Sequence, residues 1–272
     1  MSGSMARPAE ADRDQSRLWL PLLRRLTDEA STWAVWKNVE AALAGSGDLD
    51  CAAPRSLWPL IEDEVATWAV RHSLGPVVSC RHVPGALFVI AVDPSRSLFH
   101  QLDIRARTTF RGATVFRAED LSPLVEIDPR GFRRLRPGAE GLFKLVINGT
   151  GRAGAPRPDA LAKEEVAGLL ARDPSGAREA ASLFGLVRGA VLQGAQQAAM
   201  GQWDRAAMCR VDAWARVKAL MHPKVLVGQV AVRRAKRTCP ILRTSIQNAR
   251  RIPGDIAGWV TAVTTTHKRY GF

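Results

Sequence analysis

Asp48-Leu49-Asp50 sets two carboxylates on either side of an apolar residue. Side chains alternate along a strand, so both acids would leave one face while Leu49 enters a core. Oxygen-only donors in that arrangement suit a hard cation such as magnesium. Asp103, between Leu102 and Ile104, repeats the pattern: its neighbours read as buried and it points the other way. Acids converging from two adjacent strands would hold a pair of metal ions for in-line phosphoryl transfer. A D-x-D pair alone is a weak signal, because acids at strand ends are commonly solvated or capping, so the surroundings decide.

Upstream lies Trp36-Lys37-Asn38, followed by the nine residues Val39 to Gly47 and then the acidic pair. With Asp103 on a later strand, this layout resembles the nucleotidyltransferase superfamily of the DNA polymerase β type. That pattern is a strand ending in a hydrophobic residue and a Gly-Gly/Ser pair, a spacer of about ten residues, Asp-hydrophobic-Asp, and a third acid on a later strand. It is most similar to divergent bacterial members, through Trp36-Lys37-Asn38, Gly47-Asp48-Leu49-Asp50, Asp103 and Arg111-Gly112, over about residues 30 to 120. The resemblance implies a metal-dependent transfer of a nucleoside monophosphate from a triphosphate to a hydroxyl or phosphate acceptor. It also implies that Asp48, Asp50 and Asp103 are the catalytic residues and hold Mg2+ or Mn2+.

The chain departs from the pattern where Lys37-Asn38 replaces the Gly-Gly/Ser pair that lets backbone amides approach a triphosphate. Lys37 would bring charge to phosphate and Asn38 a hydrogen bond, both at a helix N-terminus where anions are favoured. Ser46, beside the acids, joins them as a nucleotide-binding candidate. The acceptor stays open. The similar bacterial proteins are associated with cell-surface glycan pathways, which would fit a small acceptor. Two other readings stand beside this one: an RNA-directed, toxin-type nucleotidyltransferase, and a catalytically silent module of the same fold, motivated by Lys37-Asn38.

The elements that must position these residues follow from hydrophobic spacing. Ser16 to Ala30 reads as a helix with Leu18, Leu22, Leu23 and Leu26 on one side. Trp33 to Trp36 reads as a buried strand, Asn38 to Ala44 as a helix and Leu49 to Ala53 as a second strand. Ser56 to Arg71 carries Leu57, Leu60, Ile61, Val65 and Trp68 at helical steps. Strands are expected over Val77 to Val83 and Ala86 to Val92, joined by Pro84-Gly85, and over Phe99 to Phe110. This order predicts an α/β (α+β) fold with one mixed β-sheet backed by helices. Beyond about Arg130 the texture turns to Ala-, Leu- and Arg-rich helical stretches with no strong strand pattern. The expected units are therefore residues 16–130 as the catalytic domain and 131–272 as a helical domain with a basic tail. Within the latter, Met200, Trp203, Ala207, Val211, Trp214, Val217 and Met221 recur at helical spacing and read as a core stripe.

Charge is unevenly spread. Residues 201–272 hold 14 Lys or Arg against 3 Asp or Glu, while the first two hundred residues are nearly neutral. A basic end attracts phosphates, on RNA or on an anionic membrane surface, whereas a neutral body suits a small-molecule site. With 46% apolar and 24% charged residues the chain is globular in composition, and no apolar run approaches the ~18 residues of a membrane span. The 4 cysteines lie far apart with no C-x-x-C pair, and no secretory leader is evident, so a reducing, cytoplasmic setting is expected, peripheral to a membrane if the tail binds lipid. Gly149-Thr150-Gly151-Arg152-Ala153-Gly154 matches G-x-G-x-x-G but runs into prolines instead of opening a helix, and reads as a loop. The histidines show no ligand spacing, and Trp36 reads as core sooner than as a base-stacking ring.

Overall fold

The structure is a computed structural model that describes residues 15–45, 47–81, 83, 85–93, 98–157, 163–221 and 250–251. Helix α1 (Ser16–Glu29) buries Trp19, Leu22, Leu23 and Leu26. Strand β1 (Ala34–Lys37), the short helix α2 (Val39–Leu43) and β2 (Leu49–Ala52) follow, then α3 (Trp58–Arg71) with Trp58, Ile61, Val65 and Trp68 inward. Strands β3 (Val77–Cys80), β4 (Ala86–Asp93) and β5 (Leu98–Arg105) come next. Strands β6 (Arg107–Phe110) and β7 (Ala113–Arg117) pair as a separate hairpin. Strands β8 (Val125–Ile127) and β9 (Arg133–Leu135) then return to the sheet.

The remaining chain is helical: α4 (Pro137–Phe143), α5 (Lys163–Arg172), α6 (Pro174–Ala181), α7 (Arg188–Ala199) and α8 (Arg205–Leu220). Asp173 and Asp204 cap α6 and α8 by accepting the backbone N–H of Gly176 and Ala207. The pair Arg250–Arg251 forms β10 against β3. The sheet order is β10-β3-β4-β5-β2-β1-β9-β8. It is mixed: β2 runs parallel to β5 and β1 parallel to β9, and the other pairs are antiparallel. The fold is α/β, as the element order predicts. Among the described residues no helix is long and apolar enough to cross a membrane.

Period-two alternation decides what each face of the sheet meets. Leu49, Cys51, Leu87, Val89, Leu102 and Ile104 point into one apolar cluster with α1 and α3. On the opposite face, Trp36 and Ala52 join a second cluster with the hairpin and the helices from α4 onward. Farther along that face, Val78, Cys80, Ala86, Phe88 and Val92 make a third, smaller cluster. Between the second and third clusters, the same face of β2 and β5 presents Asp50, Gln101, Asp103 and Arg105.

Four expectations are corrected. Phe99 to Phe110 is not one strand: the chain leaves the sheet after Arg105, and β6 pairs with β7 instead. Arg133–Leu135, read from texture as the start of a helical half, is a strand, because Val35 of β1 needs a partner on its free side and pairs with Arg134. The first strand ends at Lys37 and not at Trp36, which puts Lys37 in the sheet. The expected core stripe around α8 holds only in its middle: Ala207 and Val211 are buried together with Met208, Ala215 and Ala219, and Trp203 and Trp214 pack on the same cluster, whereas Met200, Val217 and Met221 are exposed; the small residues let α8 approach its neighbours closely. One such approach is at Gly154, where a Cβ would lie 2.3 Å from the backbone nitrogen of Cys209. The G-x-G-x-x-G stretch is therefore a packing loop against α8, closed by the bridge between Thr150 and Pro156.

Candidate functional site

The parallel register of β2 and β5 sets Asp50 directly beside Asp103. Both side chains leave the face opposite Leu49, Leu102 and Ile104, as alternation requires. Asp48 precedes β2 and belongs to the same group: the Gln101 amide Nε2 donates to Asp103 Oδ1 at 2.6 Å and reaches Asp48 Oδ2 at 3.5 Å. Gln101 is 2% exposed. The three acids named from spacing are thus assembled on neighbouring chain segments.

Fixed cations accompany them. Irregular pairing of β1 and β2 between Val35 and Lys37 brings Lys37 opposite Asp50, and its Nζ lies 3.0 Å from Asp50 Oδ2. Asn38 follows in the left-handed region, at φ 62° and ψ 20°, and its Nδ2 donates to the same oxygen at 3.0 Å. Asparagine visits that region more readily than other non-glycine residues, so it gives the chain the sharp turn that a glycine would otherwise supply. The Asn38 backbone N–H donates to Glu140 Oε1 of α4 at 3.0 Å. On β5, the Arg105 guanidinium lies 3.4 Å from Asp103 Oδ2 and over the ring of Phe88.

Burial pushes the Asp103 carboxyl up to about 7; Arg105 and the Gln101 hydrogen bond oppose that, and the nearby charges of Asp50 and Asp48 add to it. A site that crowds negative charge in this way favours a positive ligand. The donor chemistry is oxygen-only and fits magnesium, which takes one or two carboxylates and completes its shell with substrate phosphates and water. As placed, no group of three His, Cys, Asp or Glu side chains among the described residues closes a metal cage by itself.

Lys37 and Asn38, read as nucleotide-binding, both direct their side chains to Asp50. Ser46 lies outside the described residues, as does the basic tail apart from Arg250 and Arg251. Arg111-Gly112 is the turn of the β6–β7 hairpin, with both residues at positive φ. Arg111 binds Asp212 of α8 at 2.6 Å and the Thr150 carbonyl at 3.3 Å, so it docks the hairpin on the helices. Trp36 is 3% exposed and packs edge-on against Phe116, a core residue as expected.

Sequence reasoning missed four residues. Gln101 and Arg105 flank Asp103 at two-residue steps, and the alternation that found Asp103 carries them to the same face. Glu140 and its partner Lys144, 3.0 Å apart and both buried, come from α4 and the π-helical turn after it, roughly a hundred residues from Asn38, with no local signal. No family model, curated protein or solved structure matches the chain.

Proposed function

We propose that this chain is a metal-dependent nucleotidyltransferase that moves a nucleoside monophosphate from a triphosphate to a hydroxyl or phosphate acceptor. The observation that carries the reading is the pairing of Asp50 with Asp103 across parallel strands, with Asp48 tied to Asp103 through Gln101. Asp48, Asp50 and Asp103 would hold Mg2+ or Mn2+. Bound there, the ion would neutralise phosphate charge and acidify the acceptor hydroxyl. In the reaction the acceptor oxygen bonds the α-phosphorus, the bridge to the β-phosphate breaks, and pyrophosphate leaves with the electron pair.

The chain's own residues orient and compensate. Gln101 fixes the directions of Asp48 and Asp103, while Lys37 and Arg105 add positive charge beside the acids, in a strip bounded by apolar clusters where such charge is weakly screened. The proton of a hydroxyl acceptor would leave to solvent water as its oxygen bonds phosphorus. Cytoplasmic residence and a tail lying on anionic lipid belong to this proposal.

Pyrophosphate release from each common triphosphate with Mg2+ or Mn2+ tests it, alongside Asp103→Asn. That variant should fold normally by circular dichroism and lose transfer by ~100-fold or more. Full metal-dependent activity in the variant would reject the assignment. The basic excess in residues 201–272 favours an RNA acceptor as a second reading, for which binding should weaken steeply with salt. The Lys37–Asp50 ion pair favours the silent module, for which no triphosphate should be turned over.

A further inference from the structure

Strands β2, β3 and β5 run in one direction, since β2 is parallel to β5 and both β3 and β5 are antiparallel to β4. The chain leaving each of them carries an arginine: Arg55 shortly after β2, Arg81 directly after β3 and Arg107 just beyond β5. They gather at the carboxyl ends of these strands, the edge where open α/β sheets ordinarily take ligands. A cleft of about 330 Å³ opens there, lined in part by Arg55, Trp58, Arg81 and Gly85. Arg107 flanks it: a Cβ on Gly85 would meet Arg107 Cγ at 3.0 Å. Helix α3 begins on the cleft with Trp58, so its partial positive charge adds to that of the arginines. The guanidiniums of Arg55 and Arg81 lie over the Trp58 ring, 5.5 and 5.6 Å from its centroid, and Glu62 anchors Arg81 at 2.8 Å. Among the described residues, Arg55 and Arg107 enter no ion pair. The buried Nε of Arg81 and the Nε1 of Trp58, a residue 6% exposed, find no acceptor among them either. Buried donors are rarely left in that state in a native protein.

We propose that this cleft binds the phosphate group of a small molecule. Guanidinium forks match phosphate oxygens two at a time, and stacking on the indole fixes the planes of two of them in advance. The phosphate oxygens are the acceptors that the Arg81 and Trp58 donors lack. At about 330 Å³ the cleft is at the small end of ligand sites, with room for a phosphate and a short carbon chain. The inference does not rest on the nucleotidyltransferase reading, because none of these residues belongs to the acid group on β2 and β5.

The test is isothermal titration of the full chain, in EDTA, with glycerol 3-phosphate and with inorganic phosphate. The chelator removes any route through a metal ion at the acids. The wild type should bind at least one of the two, and the tighter of them identifies an esterified or a free phosphate as the ligand. Arg55→Gln and Arg107→Gln should each weaken that binding ~10-fold, and Trp58→Phe, which keeps a ring but removes the N–H, ~5-fold. Arg71→Gln, at the other end of α3, should leave it unchanged. Thermal melts establish that each variant is folded; if Trp58→Phe does not fold, the exposed Arg55 carries the test. No binding of either probe, or binding unchanged in folded Arg55→Gln and Arg107→Gln, overturns the inference. An equal loss in Arg71→Gln would mark general charge attraction and overturn it too, as would arginine substitutions that weaken only the binding of an RNA oligonucleotide.

Discussion

Asp103 shows how a residue's chemistry is set by its neighbours. Its acidic character and its face follow from alternation with Leu102 and Ile104, but its proton affinity follows from burial and from Asp50 and Asp48 alongside. A carboxyl raised from about 4 to about 7 favours the protonated form in the folded chain. Without metal, the folded state is therefore penalised as pH rises through that window. In chelator at pH ~8, Asp103→Asn should gain at least ~1 kcal/mol over the wild type, and this gain should vanish near pH ~4. Urea melts at the two pH values measure it; equal stability at both would show that Arg105 and Gln101 fully compensate the charge. Under the proposed activity the same variant should lose transfer, which would make the acid one held at a cost to stability.

At the scale of elements, close approach of backbones separates glycines that matter from those that do not. Gly154 has φ +70°, and a Cβ there would meet the Cys209 nitrogen of α8 at 2.3 Å and the Arg205 carbonyl at 2.7 Å. Gly154→Ala must push α8 away and should cost ~2 kcal/mol or more. Gly189, exposed in the first turn of α7, has nothing within 4 Å of its Cβ position. Gly189→Ala should stabilise by about 0.5 kcal/mol by stiffening the unfolded chain. Thermal melts of the pair distinguish packing from composition, since both substitutions add the same methyl. The helical spacing of α1 and α3 located those elements in the sequence because each buries one stripe. That of α8 located Ala207 and Val211 but missed the alanines Ala215 and Ala219, which carry little apolar signal.

Across the whole molecule, the sheet and the helices are joined by an ionic network that runs from the exposed Glu40 to the buried Asp128, Glu140 and Lys144. Arg130 and Arg134 bind Asp128 and Glu40, Arg134 also binds Glu140, and Glu140 meets Lys144 and the Asn38 N–H. Burial pushes Asp128 upward, but the bonds from Arg130 and Arg134 outweigh it and hold the carboxyl at about 2. Glu40 and Asp212 are lowered as well through arginine partners, and Asp173, against burial, through the Gly176 N–H first and then Arg136. Such depressed acids stabilise the fold fully above the ordinary carboxylate range, and that stability is lost as pH falls from about 4 toward about 2. Denaturant midpoints should drop steeply across this interval, and a flat profile would contradict the network. By itself the sequence determined the α/β class, the first helices and strands and the three acids, because period-two and period-3.6 patterns are local and survive in one dimension. Only the tertiary structure decided that Lys37 answers Asp50, that Arg134 pairs beside Val35 in the sheet, and that Glu140 reaches Asn38. Those partners are set by strand register and by helices packed from roughly a hundred residues away, and no local pattern encodes either.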